Sequence, residues 1–181
     1  MAASDPNSRS QTLSAEGAAF LSAAALVDRL DEEIRRAERH GTQLSCLLLV
    51  IDNLEEFSRE HGSDLPEQTL AYVSAALRRE LRRFDRIGRP GGDELLIVLP
   101  GADGPRGEMV ARRVLDRMRA IKVEADGTRR PLRVSLGLAA WRSDSTPEEL
   151  LSRARAATRV RNGDNGGGIS ATPPPGRQQP S

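Results

Sequence analysis

Two short apolar runs constrain the fold of this chain more than any other feature. They are Leu44–Ile51 and residues 95–99, and their length and composition favour buried strands. Apolar residues at helical spacing lie before, between and after these runs. Helices that alternate with strands predict an α/β layering in which helices cover a mixed sheet.

The elements can be placed along the chain from their periodicity and from local start and stop signals. Thr146, Pro147 and Glu149 form a capping box with proline at the first helical position, so a last helix should begin there and continue to about Arg161. The other predicted elements are a helix over residues 20–37, the strand Leu44–Ile51, a short helix with Leu54 and Phe57 that Gly62 ends, a long helix with an apolar stripe of Leu70, Val73, Leu77, Leu81 and Phe84, a hairpin of residues 86–89 and 95–99, a helix with Val114 and Met118, and a strand over residues 132–140.

Length and composition predict a single domain. The 181 residues divide into a small, polar, disordered lead (1–18), a domain (19–162) and a disordered Gly/Pro-rich tail (163–181). The net charge of +1 gives no reason to expect nucleic acid or a membrane as a partner. The single cysteine, and the lack of a long apolar span or a secretory leader, favour a cytoplasmic protein.

The turn before the second apolar run carries Gly91-Gly92-Asp93-Glu94. Glycines allow positive φ or close approach of the backbone to phosphates, and the two acids can hold a divalent metal. This turn resembles the signature of the GGDEF family, the diguanylate cyclases that join two GTP into cyclic di-GMP, and the likeness extends over about residues 27–161. The resemblance implies an α+β fold with a ferredoxin-like nucleotidyl-cyclase core, that is, a central, mostly antiparallel sheet flanked by helices.

The resemblance also implies a Mg²⁺ site that this chain does not complete. Family members hold the metals with Asp93, the third signature residue, and with an Asp-x-Asp pattern that falls without gaps on Val50-Ile51-Asp52. Valine has no lone pair to offer, so a catalytic metal should be lost or weakly held. Asp52 could instead be the ligand if two residues were deleted before Gly62.

Other positions that the family uses for GTP differ here as well. The phosphate-binding lysine is replaced by Glu55, and the second one falls near Arg161-Asn162. The guanine-reading asparagine and aspartate are Ser58 and Glu67. Gly91, Gly92, Ser58 and Glu67 are therefore predicted to be vestigial nucleotide-binding residues. Asp93 and Glu94 would be catalytic only if activity remains.

A second family motif is complete. Arg82 and Asp85 match the Arg-x-x-Asp pattern that binds cyclic di-GMP in many members, and the gapless third partner is Arg113. Arginine forks pair with phosphate oxygens or the guanine edge, and residues three apart at a helix end can face one side. The alternative is a solvated, arginine-rich helix end.

Three functions follow from this pattern. The first is a degenerate domain that acts as a cyclic di-GMP receptor. The second is a cyclase with an altered metal site that uses Mg²⁺. The third is an interaction module without nucleotide. The protein partner is unknown, and a homodimer is an option that the resemblance suggests.

Overall fold

The computed structural model of the chain describes residues 20–159, together with the backbone of residues 169–171. The helices are α1 (Ala23–His40), α2 (Leu54–His61), α3 (Asp64–Glu80), α4 (Gly104–Arg119) and α5 (Pro147–Arg159). The strands are β1 (Leu44–Ile51), β2 (Arg86–Gly88), β3 (Glu94–Pro100), β4 (Lys122–Ala125), β5 (Thr128–Pro131), β6 (Val134–Ala140) and β7 (Ile169–Ala171).

A five-stranded sheet with the order β2-β3-β1-β6-β7 forms the centre of the described residues. All neighbours pair antiparallel except β6 and β7. The predicted α+β fold with a mostly antiparallel central sheet and flanking helices is confirmed.

Both faces of the sheet are covered, and this explains why the two apolar runs show no polar alternation. Along β1, Leu47, Leu49 and Ile51 face a core formed with α2, α3 and α4. Cys46 and Leu48 face a second core formed with α1 and α5. Because successive strand residues point to opposite faces, a central strand between two cores is apolar on both faces. The polar residue of β1, Ser45, is buried with its hydroxyl donating to the Ala102 carbonyl.

The start of α5 follows the predicted capping box. The Thr146 amide donates to Glu149 Oε2 at 3.0 Å, and the Glu149 amide donates to Thr146 Oγ1 at 3.2 Å. The helix lies very close to the sheet at Gly137 of β6, where an added Cβ would come within 2.1 Å of the Ala154 carbonyl oxygen. Only glycine permits this approach, so Gly137 fixes how closely α5 packs.

The end of α3 differs from the prediction. The helix ends at Glu80, and Leu81 adopts an extended conformation with φ −102° and ψ 157°. Phe84, which was predicted to continue the apolar stripe, lies in the following turn and is 68% exposed. Arg82 and Asp85 therefore lie in a turn and not on a helix end. Helical spacing could not reveal this because the residues after Glu80 keep the same period.

The hairpin of β4 and β5 was not predicted from the sequence. Asp126 and Gly127 join its strands with φ of 51° and 73°, and an Asp-Gly pair is the sequence signal for such a two-residue turn. The hairpin is held against α2 by Arg130, which pairs with Glu56 and Glu60. Its guanidinium also lies 5.3 Å from the Phe57 ring centroid.

The predicted lead and most of the predicted tail lie outside the described residues. Within the predicted tail, Ile169–Ala171 forms β7, so the expectation of an irregular segment is wrong for these three residues. These three residues form a strand because they pair in parallel with β6. The Gly-rich sequence that precedes them did not indicate a strand. Among the described helices, none is both long enough and apolar enough to cross a membrane.

Candidate functional site

The signature turn lies between β2 and β3 and is held by Arg89. Its Nε donates to the Gly92 carbonyl at 3.1 Å, and a terminal nitrogen donates to the same carbonyl at 2.6 Å. The amide of Ile51 donates to the Asp93 carbonyl at 3.0 Å, which joins the turn to β1. Neither Gly91 nor Gly92 has a positive φ. The turn thus does not require glycine for its backbone conformation.

Val50 lies beside the signature in the sheet. It is the register partner of Glu94 on β3 and of Ser135 on β6. Directly opposed residues of antiparallel strands share a face, so these side chains all project toward the α1 and α5 side. Val50 packs there against the apolar core. The end of β1 therefore presents a hydrocarbon side chain between one carboxylate and one hydroxyl.

Glu94 is engaged by Arg155 of α5. Arg155 Nε donates to Glu94 Oε1 at 2.7 Å, and a terminal nitrogen donates to Oε2 at 2.6 Å. The Glu94 side chain is 14% exposed and that of Arg155 is 35% exposed. These hydrogen bonds raise the pKa of Arg155 above its usual value. Both carboxylate oxygens of Glu94 thus have a fixed cationic partner.

Asp52 and Asp93 lie near one another at the same end of the sheet. Ser135 Oγ donates to Asp52 Oδ2 at 2.8 Å. Burial raises the pKa of Asp52, which Ser135 and Arg133 partly offset, and the negative charge of Asp93 raises it further. The Asp93 side chain is exposed.

The residues at this end do not fit a pair of divalent metals. Mg²⁺ requires a near-octahedral shell of oxygens, usually with one or two carboxylates free to bind it. Val50 offers no oxygen, Glu94 is occupied by a guanidinium, and Asp52 shares one oxygen with Ser135. Among the described residues, no group of three or more His, Cys, Asp or Glu is placed to hold an ion.

The predicted guanine-reading residues lie on the neighbouring helices α2 and α3. Glu67 on α3 accepts hydrogen bonds of 3.2 Å from the guanidinium of Arg89, and so braces the signature turn. Ser58 lies on α2, where its carbonyl accepts the Gly62 amide at 3.0 Å and ends the helix. The Glu67 side chain thus has a structural contact, whereas Ser58 contributes its backbone carbonyl.

The Arg-x-x-Asp turn borders an open groove of about 360 Å³. Asp85 Oδ2 accepts the Arg82 amide at 2.7 Å, which sets the turn. The Arg82 side chain is exposed, and its guanidinium donates no hydrogen bond within residues 20–159. The groove combines an apolar floor with cationic walls, and its lining residues are Leu21, Arg78, Leu81, Arg82, Arg83, Asp85, Arg86 and Ile87.

Asp85 is a carboxylate surrounded by arginines. Burial raises its pKa, while the Arg82 amide and the charges of Arg82, Arg113 and Arg86 partly lower it. Arg113 lies on α4, near enough for its charge to lower the pKa of Asp85. Its own guanidinium donates to the Glu80 carbonyl and lies 3.6 Å from the Glu80 carboxylate. Arg113 therefore lies close to the groove but is held by an internal partner.

Three site residues were not anticipated from the sequence. Arg89 directly precedes the Pro-Gly-Gly turn, and this adjacency was a usable signal. Neither Ser135 nor Arg155 gave such a signal. For Arg155 the reason is that α5 carries three arginines, Arg153, Arg155 and Arg159. Only the docking of the helix determines which of these arginines meets the signature.

Comparison with known proteins gives one consistent result. Residues 20–165 match the family model described as "Diguanylate cyclase, GGDEF domain". Diguanylate cyclase DgcP of Pseudomonas aeruginosa is 28% identical over 134 residues, which are 74% of this chain and 20% of DgcP. Diguanylate cyclase DosC of Escherichia coli (strain K12) is 32% identical over 126 residues, which are 69% of this chain and 27% of DosC.

A solved structure agrees. The crystal structure of diguanylate cyclase SiaD from Pseudomonas aeruginosa, in complex with its activator SiaC, superimposes with a TM-score of 0.79 and 27% identity. The likeness covers 83% of this chain and 58% of SiaD. The chain thus spans less than a third of the length of either curated relative.

Proposed function

Because this chain belongs to the GGDEF family, we propose that it binds cyclic di-GMP as a receptor and does not synthesise it. The proposal rests on one contrast between the two candidate sites. The groove beside Arg82 and Asp85 keeps an exposed guanidinium that donates no hydrogen bond within residues 20–159. At the signature, Val50 replaces a carboxylate and Glu94 is already paired.

The chemistry of the groove suits a guanine dinucleotide. Guanidinium groups pair in a bidentate manner with phosphate oxygens or with the acceptor edge of guanine, and they stack on purines. The second Asp85 oxygen can accept from guanine N–H groups, and Leu21, Leu81 and Ile87 provide an apolar floor. Arg113 would have to turn from Glu80 toward the ligand. Ligand binding would then alter a contact with another protein or a second copy.

A cyclase with an altered metal site is the second candidate. Asp93 lies close enough to Asp52 to raise its pKa, so two carboxylates do meet at the signature and could attract one Mg²⁺. This candidate predicts release of pyrophosphate from GTP with Mg²⁺ or Mn²⁺, and loss of that release in Asp93→Ala. No turnover in the wild-type chain would exclude it.

An interaction module without nucleotide is the third candidate. Tyr72, Phe84 and Met109 are large apolar side chains that lie more than half exposed, and the related SiaD forms a complex with its activator SiaC. A protein partner of this chain would remain possible whether or not cyclic di-GMP binds. The absence of heat with both cyclic di-GMP and GTP would favour this candidate.

Calorimetry with cyclic di-GMP on the full chain tests the receptor proposal. We expect micromolar or tighter binding and, in Arg82→Ala, a loss of at least about tenfold, since a hydrogen bond to a charged group contributes about 1.5–3 kcal/mol. Arg112→Ala is the matched control, because Arg112 is the neighbour of Arg113 on α4 and pairs only weakly with Glu108 at 4.0 Å. No heat at high protein concentration, or equal affinity in Arg82→Ala, would refute the proposal.

A further inference from the structure

The ion pair of Glu94 and Arg155 is the most complete polar contact at the signature end. A planar guanidinium lies against a carboxylate with two parallel hydrogen bonds of 2.7 and 2.6 Å. Both partners are partly shielded from solvent. Charge-assisted, bidentate pairs of this kind are among the strongest side-chain hydrogen bonds.

The position of this pair in the sheet also relates it to the metal ligand that is missing at Val50. Glu94 is the register partner of Val50, so the two side chains lie on the same face, toward α5. Arg155 reaches that face from α5. A fixed positive charge therefore lies beside the strand position at which an oxygen ligand is missing.

We propose that the Arg155 guanidinium is the resident cation of the signature end, so that Glu94 is closed to divalent metals and Val50→Asp alone cannot create a metal site. Arginine keeps its proton at every accessible pH, so this cation does not leave by titration. A metal would have to break two short hydrogen bonds and bind next to a like charge. The missing carboxylate and the paired arginine are thus two separate obstacles.

The proposal concerns α5 and the sheet, and it does not depend on cyclic di-GMP binding at the groove. Its test uses Mn²⁺ alone, with the full chain, and follows the loss of the free-ion signal by electron paramagnetic resonance. The variants are Val50→Asp, Arg155→Met, the double variant V50D/R155M and the control V50D/R159M. Arg159 is exposed on the same helix, so its removal changes the net charge equally while the pair with Glu94 stays intact.

We expect V50D/R155M to bind Mn²⁺ at least about tenfold more tightly than V50D or V50D/R159M. Equal binding by V50D and the double variant would overturn the proposal, because Arg155 would then be no obstacle. Failure of the folded double variant to bind would overturn it as well. So would Mn²⁺ binding by the wild-type chain that disappears in Glu94→Gln.

A second measurement covers the case in which the double variant does not fold. Mn²⁺ is expected to raise the melting temperature of V50D/R155Q, which removes both obstacles but keeps a polar side chain at residue 155, more than that of V50D. Equal shifts in the two proteins would overturn the proposal. Calorimetry with cyclic di-GMP on the same variants separates the two ideas, since Arg155 lies outside the residues that line the groove.

Discussion

The groove beside α3 and the signature end of the sheet differ in what their charged groups contact. At the signature end, Arg155 satisfies Glu94, Arg89 satisfies Glu67 and the carbonyl of Gly92, and Ser135 satisfies one oxygen of Asp52. At the groove, the exposed Arg82 guanidinium has no internal hydrogen bond within residues 20–159.

Under the receptor proposal, this difference separates a surface with a cation available to a ligand from one whose charged groups already have partners. A polar group that binds a ligand must leave its internal partner or have none, and an existing partner reduces the net gain. At the groove, Arg82 has no hydrogen bond within residues 20–159 to break, whereas Arg113 would have to leave Glu80. At the signature end, Glu94 is tied to α5 through Arg155, and Glu67 of α3 is tied to Arg89.

The largest expected effect comes from the contact that brings α5 to the signature. Gly137→Ala would place a Cβ 2.1 Å from the Ala154 carbonyl oxygen, and backbone cannot move aside as a flexible side chain can. We expect a loss of about 3 kcal/mol in the free energy of unfolding, measured by urea denaturation. Gly92→Ala is the matched control. Its Cβ would meet nothing within 4 Å, and we expect a change within about 0.5 kcal/mol.

Removal of the Arg155 charge should have the next largest effect. Arg155→Met keeps an unbranched apolar side chain in place of the arginine stem but leaves the Glu94 carboxylate, 14% exposed, without its partner. We expect a loss of about 2 kcal/mol in urea denaturation. Arg113→Met is the comparison at the groove, where the side chain is half exposed, and should cost about 0.5 kcal/mol or less. Equal losses would contradict the contrast between the two sites.

A smaller effect, on the affinity for cyclic di-GMP, is expected from the ion pair that holds Arg113 beside the groove. Glu80→Gln removes the carboxylate that holds Arg113 and Arg117. Cyclic di-GMP affinity should rise about threefold, since an exposed ion pair contributes only about 0.2–1 kcal/mol. Calorimetry measures this change, with Glu108→Gln as the control on α4. Weaker binding in Glu80→Gln would show that Glu80 positions Arg113 for the ligand and does not compete with it.

The smallest effect concerns Asp52 and depends on pH. Its folded pKa lies above the ordinary value of 3.8, mainly because of burial, so the ionised side chain opposes folding once the pH exceeds that value. Asp52→Asn should stabilise the protein at pH 7 by at most about 0.5 kcal/mol because the carboxylate is screened by solvent. The gain should vanish as the pH falls toward 3.8. Thermal melts at several pH values measure it, and destabilisation at pH 7 would contradict the assignment.

The sequence predicted the elements whose signals are local. The two apolar runs became β1 and β3, and Thr146 with Glu149 formed the capping box of α5. The prediction was wrong where helical spacing continued beyond the last residue of the helix, as at Phe84. It did not include the Asp126-Gly127 turn, although an Asp-Gly pair is a known hairpin signal. The prediction that Val50 leaves a metal ligand missing came from the alignment of two motifs alone.

The sequence by itself determined the family and the layered fold, because both depend on residue type and on spacing along the chain. Only the tertiary structure decided that Arg155 pairs with Glu94, that Arg89 braces Glu67, and that Glu80 holds Arg113. These pairs join residues between 22 and 61 positions apart. Their formation depends on helix docking and strand register, which no local pattern of charges specifies.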